Sequence, residues 1–242
     1  MRARFLYRAL KARYGGERRE ISAAVAALGE GDLAVDVGAY KGEYLYWLRR
    51  AVGPAGRVFA YEPQHRLAGY LRTVCSRMGW GNVLVRGCAL SDFAGERILH
   101  IPRGEDNPGA SLEAAILTIS RCHDESCETD TIDNQLEGEG AVALLKVDVE
   151  GHELQVFRGG ARTLARDGPV LLFESEARHL VAGHSMQDVF AYLHGLGYSG
   201  SFFSPQGLQP IDRFDPSVHQ RQRTERFWDA PDYCNNFLFK RT

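Results

Sequence analysis

"DLAVDVGAYKGEYLYWL", Asp32 to Leu48, decides the fold of this chain. It passes from an apolar run through two glycines into helical periodicity, and an acid, Asp36, sits just before the first glycine. An apolar run without polar alternation reads as a strand buried on both faces, as in a parallel sheet covered by helices. Tyr44, Leu48 and Ala51 then recur at spacings of three and four, which marks one face of a helix. Between them Gly38 and Gly42 bring bare backbone to the carboxyl edge of the sheet, where open α/β folds bind their ligands.

Outward from this stretch the alternation repeats. Arg57 to Tyr61, Val83 to Val85, Val142 to Val147 and Val170 to Phe173 read as buried strands. Leu67, Leu71, Val74 and Met78 mark a second helix, and Leu154, Phe157, Ala161 and Leu164 a third. Strand, helix, strand in repetition predicts a Rossmann-like, doubly wound α/β domain. A helix around Gln187 to Leu196 leads into "YSGSFFS", and "NNFLFKRT" closes the chain as a final strand. Residues 1–30 form an N-terminal helical extension and 31–242 the main domain. The stretch near 97–131, rich in Gly, Pro, Ser, Asp and Glu, is too long for a plain connection and is expected to be an inserted loop region with a binding role.

The bulk properties narrow the function. The chain has 242 residues, 44% hydrophobic and 25% charged, the profile of a globular α/β protein with one core. Its net charge of -2 offers no general attraction to phosphate backbones, so nucleic acid is not an expected partner. No run of eighteen apolar residues occurs, and the N-terminus lacks the order of a secretory signal, so the expectation is a cytoplasmic protein without a transmembrane segment. Five cysteines, an odd number, suit reduced thiols, and "CHDESC" (Cys122 to Cys127) matches no zinc spacing. The N-terminal segment carries Arg2, Arg4, Arg8, Lys11, Arg13, Arg18 and Arg19 against Glu17 alone, with Phe5, Leu6, Leu10 and Tyr14 interleaved. It either packs its apolar side on the domain or makes peripheral contact with a membrane or anionic partner. Nothing in the sequence sets an oligomeric state.

The glycine block has the form D-x-G-x-x-x-G, not the G-x-G-x-x-G that seats a pyrophosphate. An acid at this turn favours a ligand with an ammonium or sulfonium group, and S-adenosylmethionine carries both. Asp36, Gly38, Ala39, Tyr40 and Gly42 are therefore candidate cofactor-binding residues, with Tyr40 and Tyr44 as candidate covers. The second strand ends in "YEP", where Glu62, beside Pro63, can accept both hydroxyls of an adenosine ribose. The third runs into "RGCALSD", so that Cys88, Ala89 and Leu90 border an adenine ring, with Ser91 and Asp92 near its amine.

"VDVGAYKGEY", "YEP", "GCALSD", "TIDN" and above all "LLKVDVEGHE" resemble, in order, the successive blocks of the FkbM family of class I S-adenosylmethionine-dependent methyltransferases. The resemblance covers roughly Asp32 to Glu174, with "NNFLFK" also similar. It implies a seven-stranded, mostly parallel sheet with an antiparallel last strand. It also implies methyl transfer, usually to a hydroxyl of a sugar, glycan or natural-product intermediate.

Read without the family, "LLKVDVEGHE" crowds Asp148, Glu150, His152 and Glu153 where a strand ends and a helix begins. Such carboxylates repel one another unless cations or helix N-terminal amides compensate. Asp148 is best placed to face the methionine end of the cofactor or the acceptor, while Glu150 and His152 are candidates to orient the acceptor or take its proton. Glu174, ending "LLFE", is the second choice for catalysis, and helix capping is the structural alternative for the block. Asp148, Glu150, Glu174 and His152 could also hold a divalent metal, which is not the favoured reading. Ser111, in "GASLEAA", is a further candidate beside the cofactor or acceptor. The rival functions are an RNA-end methyltransferase and a non-catalytic module that binds an adenosyl ligand.

Overall fold

The computed structural model describes residues 1–103, 109–180, 184–223 and 226–241. Two helices, α1 (Arg2–Tyr14) and α2 (Arg18–Ala26), precede β1 (Leu33–Val37), α3 (Glu43–Val52), β2 (Arg57–Tyr61), α4 (His65–Met78) and β3 (Val83–Arg86). Then come β4 (Ala89–Leu90), β5 (Gly95–Pro102), the short α5 (Ile116–Ile119), β6 (Cys122–Asp130), α6 (Ile132–Gln135) and β7 (Val142–Val147). The chain continues with α7 (Glu153–Gly159), α8 (Ala161–Asp167), β8 (Val170–Glu174), α9 (Met186–Gly195), β9 (Tyr198–Ser204), β10 (Gly207–Pro210), α10 (Pro216–His219) and β11 (Asn236–Arg241).

The main sheet has the order β10-β9-β11-β8-β7-β1-β2-β3. The strands from β8 to β3 are parallel, and β11 inserts antiparallel between β8 and β9. This is the doubly wound architecture with an antiparallel last strand, but with eight strands among the described residues instead of seven. The added one, β10, returns from β9 by a hairpin through Pro205 and Gln206 and pairs only along the sheet edge.

Alternation along the strands splits the core. Ala34, Val58, Leu144, Leu172 and Leu238 join α3 and α4 on one face, while Val35, Phe59, Leu145, Leu171 and Phe237 join α7, α8 and α9 on the other. Helix α1 lies outside α3 and α4 as a further layer: Phe5 meets Trp80 edge-on at 5.7 Å, and Trp47 Nε1 donates to the Ala9 carbonyl at 2.8 Å.

Two further expectations change. The stretch near 97–131 is largely ordered, with β5 and β6 forming an antiparallel ladder from Gly95↔Thr129 to Pro102↔Cys122 that β4 extends. Its polar alternation reflects a ribbon of which only one side is covered, and that weakens the strand signal. Residues 104–108 of this stretch lie outside the described residues. The third helix is two helices, α7 and α8, because Gly159 and Gly160 interrupt it where the chain approaches Ser91. All five cysteines are free thiols. Among the described residues no helix is long and apolar enough to cross a membrane.

Candidate active site

The turns after β1, β2 and β7 and the strand β4 converge at the carboxyl edge of the sheet. They enclose a cleft of about 670 Å³, counting its open mouth, and Leu99, Ala110 and Leu112 of the β5–β6 segment form its far wall. Of the candidate residues, Gly38, Tyr40, Glu62, Pro63, Cys88, Ala89, Leu90, Asp148, Glu150 and His152 line it. Val37, Tyr61, Gln64 and Val149 line it too and were not foreseen.

Glu62 is buried, and its carboxylate is fixed from behind: Oε2 accepts from the Tyr40 N–H at 2.7 Å and Oε1 from the Gln64 N–H at 2.9 Å. Burial pushes its pKa up to about 7 against those two hydrogen bonds. Gly38 has φ +75°, and a Cβ there would stand 1.8 Å from the Asp148 carbonyl oxygen. The glycine thus lets the β1 and β7 turns touch. Tyr40 (φ 45°) and Glu150 (φ 54°) are the non-glycine residues of the described chain with left-handed backbone, and both line the cleft. Such strain persists where the surroundings over-determine the conformation, and binding sites are where it gathers.

Three candidates stand behind the wall. Asp36 is almost fully buried and pairs with Lys146, whose Nζ lies 3.4 Å from its Oδ1. The two are register partners on β1 and β7. Ala39 is buried, its N–H bonded to the Tyr61 carbonyl. Gly42 does not line the cleft, and a Cβ there would press on Phe5 of α1 at 2.7 Å and on Leu71 of α4 at 2.9 Å.

The acidic block divides its work. Glu150 turns to His179, with Oε2 2.8 Å from Nδ1. His152, 2% exposed, has both ring nitrogens engaged, Nε2 with Ser91 Oγ at 2.9 Å and Nδ1 with Glu113 Oε1 at 2.6 Å. Ser111 Oγ donates to the Glu150 carbonyl at 2.7 Å. These contacts tie the β5–β6 segment to the β7 turn and account for Ser111 and Ser91, neither of which lines the cleft. Glu153 is buried beneath, accepting from the Gly151 N–H and Ser175 Oγ. Asp92 is exposed and also away from the cleft.

Asp148, its side chain 35% exposed, lines this cleft and also a second cavity of about 370 Å³ with Glu17, Tyr44, Lys146, Glu174 and Asn236. Lys146 Nζ is held by the Gly38 carbonyl at 3.0 Å and Asp148 Oδ2 at 3.5 Å, and the carboxylates of Asp36, Asp148 and Glu17 keep it protonated against burial. Glu174 sits beside Asp148, Glu150 and Glu176, so burial and like charge raise its pKa well above its ordinary value. Glu176 goes the other way, because Arg178 and Tyr233 hydrogen-bond its charged form. Glu17 reaches the cavity from the α1–α2 turn, is hydrogen-bonded to Tyr44, and is raised by burial to about 7. Sequence reasoning missed Lys146 and Glu17. A lysine inside the otherwise apolar "VALLKV" was a usable signal, since a buried ammonium needs carboxylate partners. Nothing local marks Glu17.

The first cleft fits S-adenosylmethionine. Its apolar end at Cys88, Ala89 and Leu90 suits an adenine, the fixed Glu62 carboxylate suits ribose hydroxyls, and the buried Tyr61 hydroxyl beside them has no hydrogen-bond partner among the described residues. Among the described residues no three His, Cys, Asp or Glu side chains converge as metal donors.

This strand order, with a cleft at the carboxyl edges of β1, β2 and β7 and along β4, defines a class I methyltransferase architecture. The Methyltransferase FkbM domain model matches residues 36–199, and the chain belongs to that family. Among solved structures, Methyltransferase FkbM from Methylobacillus flagellatus KT is 18% identical with a TM-score of 0.54, covering 88% of this chain. This chain spans 44% of that one's length. A SAM-dependent methyltransferase from Aquifex aeolicus is 15% identical with a TM-score of 0.50, covering 95% of this chain and 92% of its own. A putative O-methyltransferase from Klebsiella pneumoniae is 12% identical with a TM-score of 0.51, covering 99% and 89%. These likenesses concern the fold. No curated protein matches the chain.

Proposed function

We propose that this methyltransferase uses S-adenosylmethionine to methylate a hydroxyl oxygen on a sugar, glycan or natural-product intermediate. The observation that carries the reading is that Asp148 is shared by the two cavities, one fitting the cofactor and the other lined by hydrogen-bonding groups. The cofactor supplies an activated methyl on a sulfonium. The chain has to bring an acceptor oxygen into line with it, and that positioning is the larger part of the catalysis. Asp148 is the residue to take the acceptor proton, because burial and the neighbouring carboxylates push Glu174 toward its protonated form, which is a poor proton acceptor. Glu150 and His152 are committed to His179, Ser91 and Glu113, so their role is to hold the turn that presents Asp148. Glu17 and Asn236 bound the acceptor side.

The test is transfer of label from methyl-labelled S-adenosylmethionine to a panel of monosaccharides, polyols and hydroxylated macrolactones, with the product examined by NMR. An alkali-stable methyl ether is expected. A base-labile methyl ester, or a methyl on nitrogen, would reject the hydroxyl acceptor while leaving the cofactor reading intact.

A further inference from the structure

Helix α1 has two apolar faces where packing on the domain needs one. Phe5, Ala9 and Ala12 face inward and are buried. Across the helix Tyr7, Leu10 and Tyr14, at spacings of three and four, are 64%, 45% and 71% exposed and form a second stripe. Exposed basic residues flank it, Arg2 and Lys11, and the helix contains no acid, while the half-buried Arg8 lies toward Glu43 of α3. Seven of the chain's 29 Lys and Arg residues fall in the first nineteen positions against the single acid Glu17, although the whole chain has a net charge of -2. The charge is therefore polarised, with a basic helix on a body that carries an excess of acids.

We propose that α1 docks the protein on an anionic lipid bilayer, with Tyr7, Leu10 and Tyr14 in the headgroup region and the basic border against lipid phosphates. An apolar stripe between basic flanks is what an in-plane interfacial helix requires. Tyrosine suits that depth, having an apolar ring and a polar tip. A nucleic acid would use the cations but gain nothing from an exposed Leu10. A groove on another protein would use the stripe but does not explain a helix without acids. The acid excess elsewhere is repelled by the same surface, which orients the molecule with α1 toward the lipid. With thirteen residues, α1 is about 20 Å long and lies in the interface without spanning it. The inference does not depend on the methyl-transfer reading.

The test is co-sedimentation of the full chain with vesicles of phosphatidylcholine alone and of phosphatidylcholine with about 30% phosphatidylglycerol, at about 0.05 and 0.15 M salt. We expect partitioning to the anionic vesicles at least about tenfold above the neutral ones, weaker at the higher salt. Tyr7→Ser/Leu10→Ser/Tyr14→Ser should reduce it about tenfold or more. Arg2→Gln and Lys11→Gln should each reduce it about fivefold. Circular dichroism and S-adenosylhomocysteine affinity should stay as in the parent for every variant, since these side chains lie outside both cavities. Equal partitioning to both vesicle types, or a triple variant that binds like the parent, would overturn the proposal. So would salt-sensitive retention of oligouridylate without vesicle binding, or a dimer in sedimentation that the triple variant abolishes while vesicles are ignored. Absence of S-adenosylhomocysteine binding would count against the cofactor reading alone.

Discussion

Asp148 and Glu62 carry the clearest expectations at the scale of single residues. Asp148→Asn keeps the shape of both cavities and removes the proton acceptor, so transfer should fall about 10²-fold while S-adenosylhomocysteine affinity holds. Calorimetry beside a single-turnover assay checks this, and loss of binding instead would make Asp148 a cofactor ligand first. Burial pushes Glu62 up to about 7 in the free protein, and ribose hydroxyls donate to its charged form. Affinity for S-adenosylhomocysteine should therefore tighten as the pH rises from about 6 to about 8, and Glu62→Gln should flatten that dependence. An unchanged slope in the variant would assign the titration to another group. Gly38→Ala should lower stability by about 3 kcal/mol in urea unfolding, because its Cβ meets backbone, which cannot rotate away, and its φ is left-handed.

Among the elements, α1 links the packing of the molecule to its acceptor side. Phe5 fills the space that Gly42 leaves open, and Glu17 enters the second cavity three residues after α1 ends. Phe5→Ala should cost about 3–5 kcal/mol and loosen α1. If Glu17 is positioned through that packing, Phe5→Ala should also impair transfer more than S-adenosylhomocysteine binding. Equal losses in both would mean that α1 supports the whole domain and not the acceptor side in particular. The β5–β6 ribbon is the other such element. It closes the cleft with Leu99, Ala110 and Leu112 and is fastened through Glu113 and Ser111 to the β7 turn.

For the whole molecule the buried carboxyls set how stability follows pH. Glu17, Glu62 and Glu153 are each raised by burial to about 7, so the folded protein retains protons that the unfolded chain releases. Their contribution is complete below the ordinary glutamate value of about 4.5 and is lost as the pH climbs through about 7. Asp130, Asp133 and Asp167 are lowered by hydrogen bonds, and their contribution is lost as the pH falls below the ordinary aspartate range. Stability should therefore be higher near pH 5.5 than near pH 8, as urea midpoints would reveal. A midpoint that rises toward pH 8 would mean that these carboxyls are hydrated in solution.

The sequence by itself determined the parallel strands and their order of appearance, because residues buried on both faces leave uninterrupted apolar runs such as Leu33–Val37 and Val142–Val147. It also determined which turns carry the cleft, since Gly38, Glu62, Cys88 and Asp148 each end or follow a strand. Only the tertiary structure decided what those residues face. Asp36 looked like a ligand contact and is the counter-ion of Lys146, because strand register sets the two side by side. Gly42 looked like a cradle and is a seat for Phe5, a contact across thirty-seven residues that no local pattern encodes. Glu17 joins Lys146 and Asp148 from the far end of the chain, and the β5–β6 ribbon hid in a polar stretch, because pairing and burial there come from long-range contacts and not from periodicity.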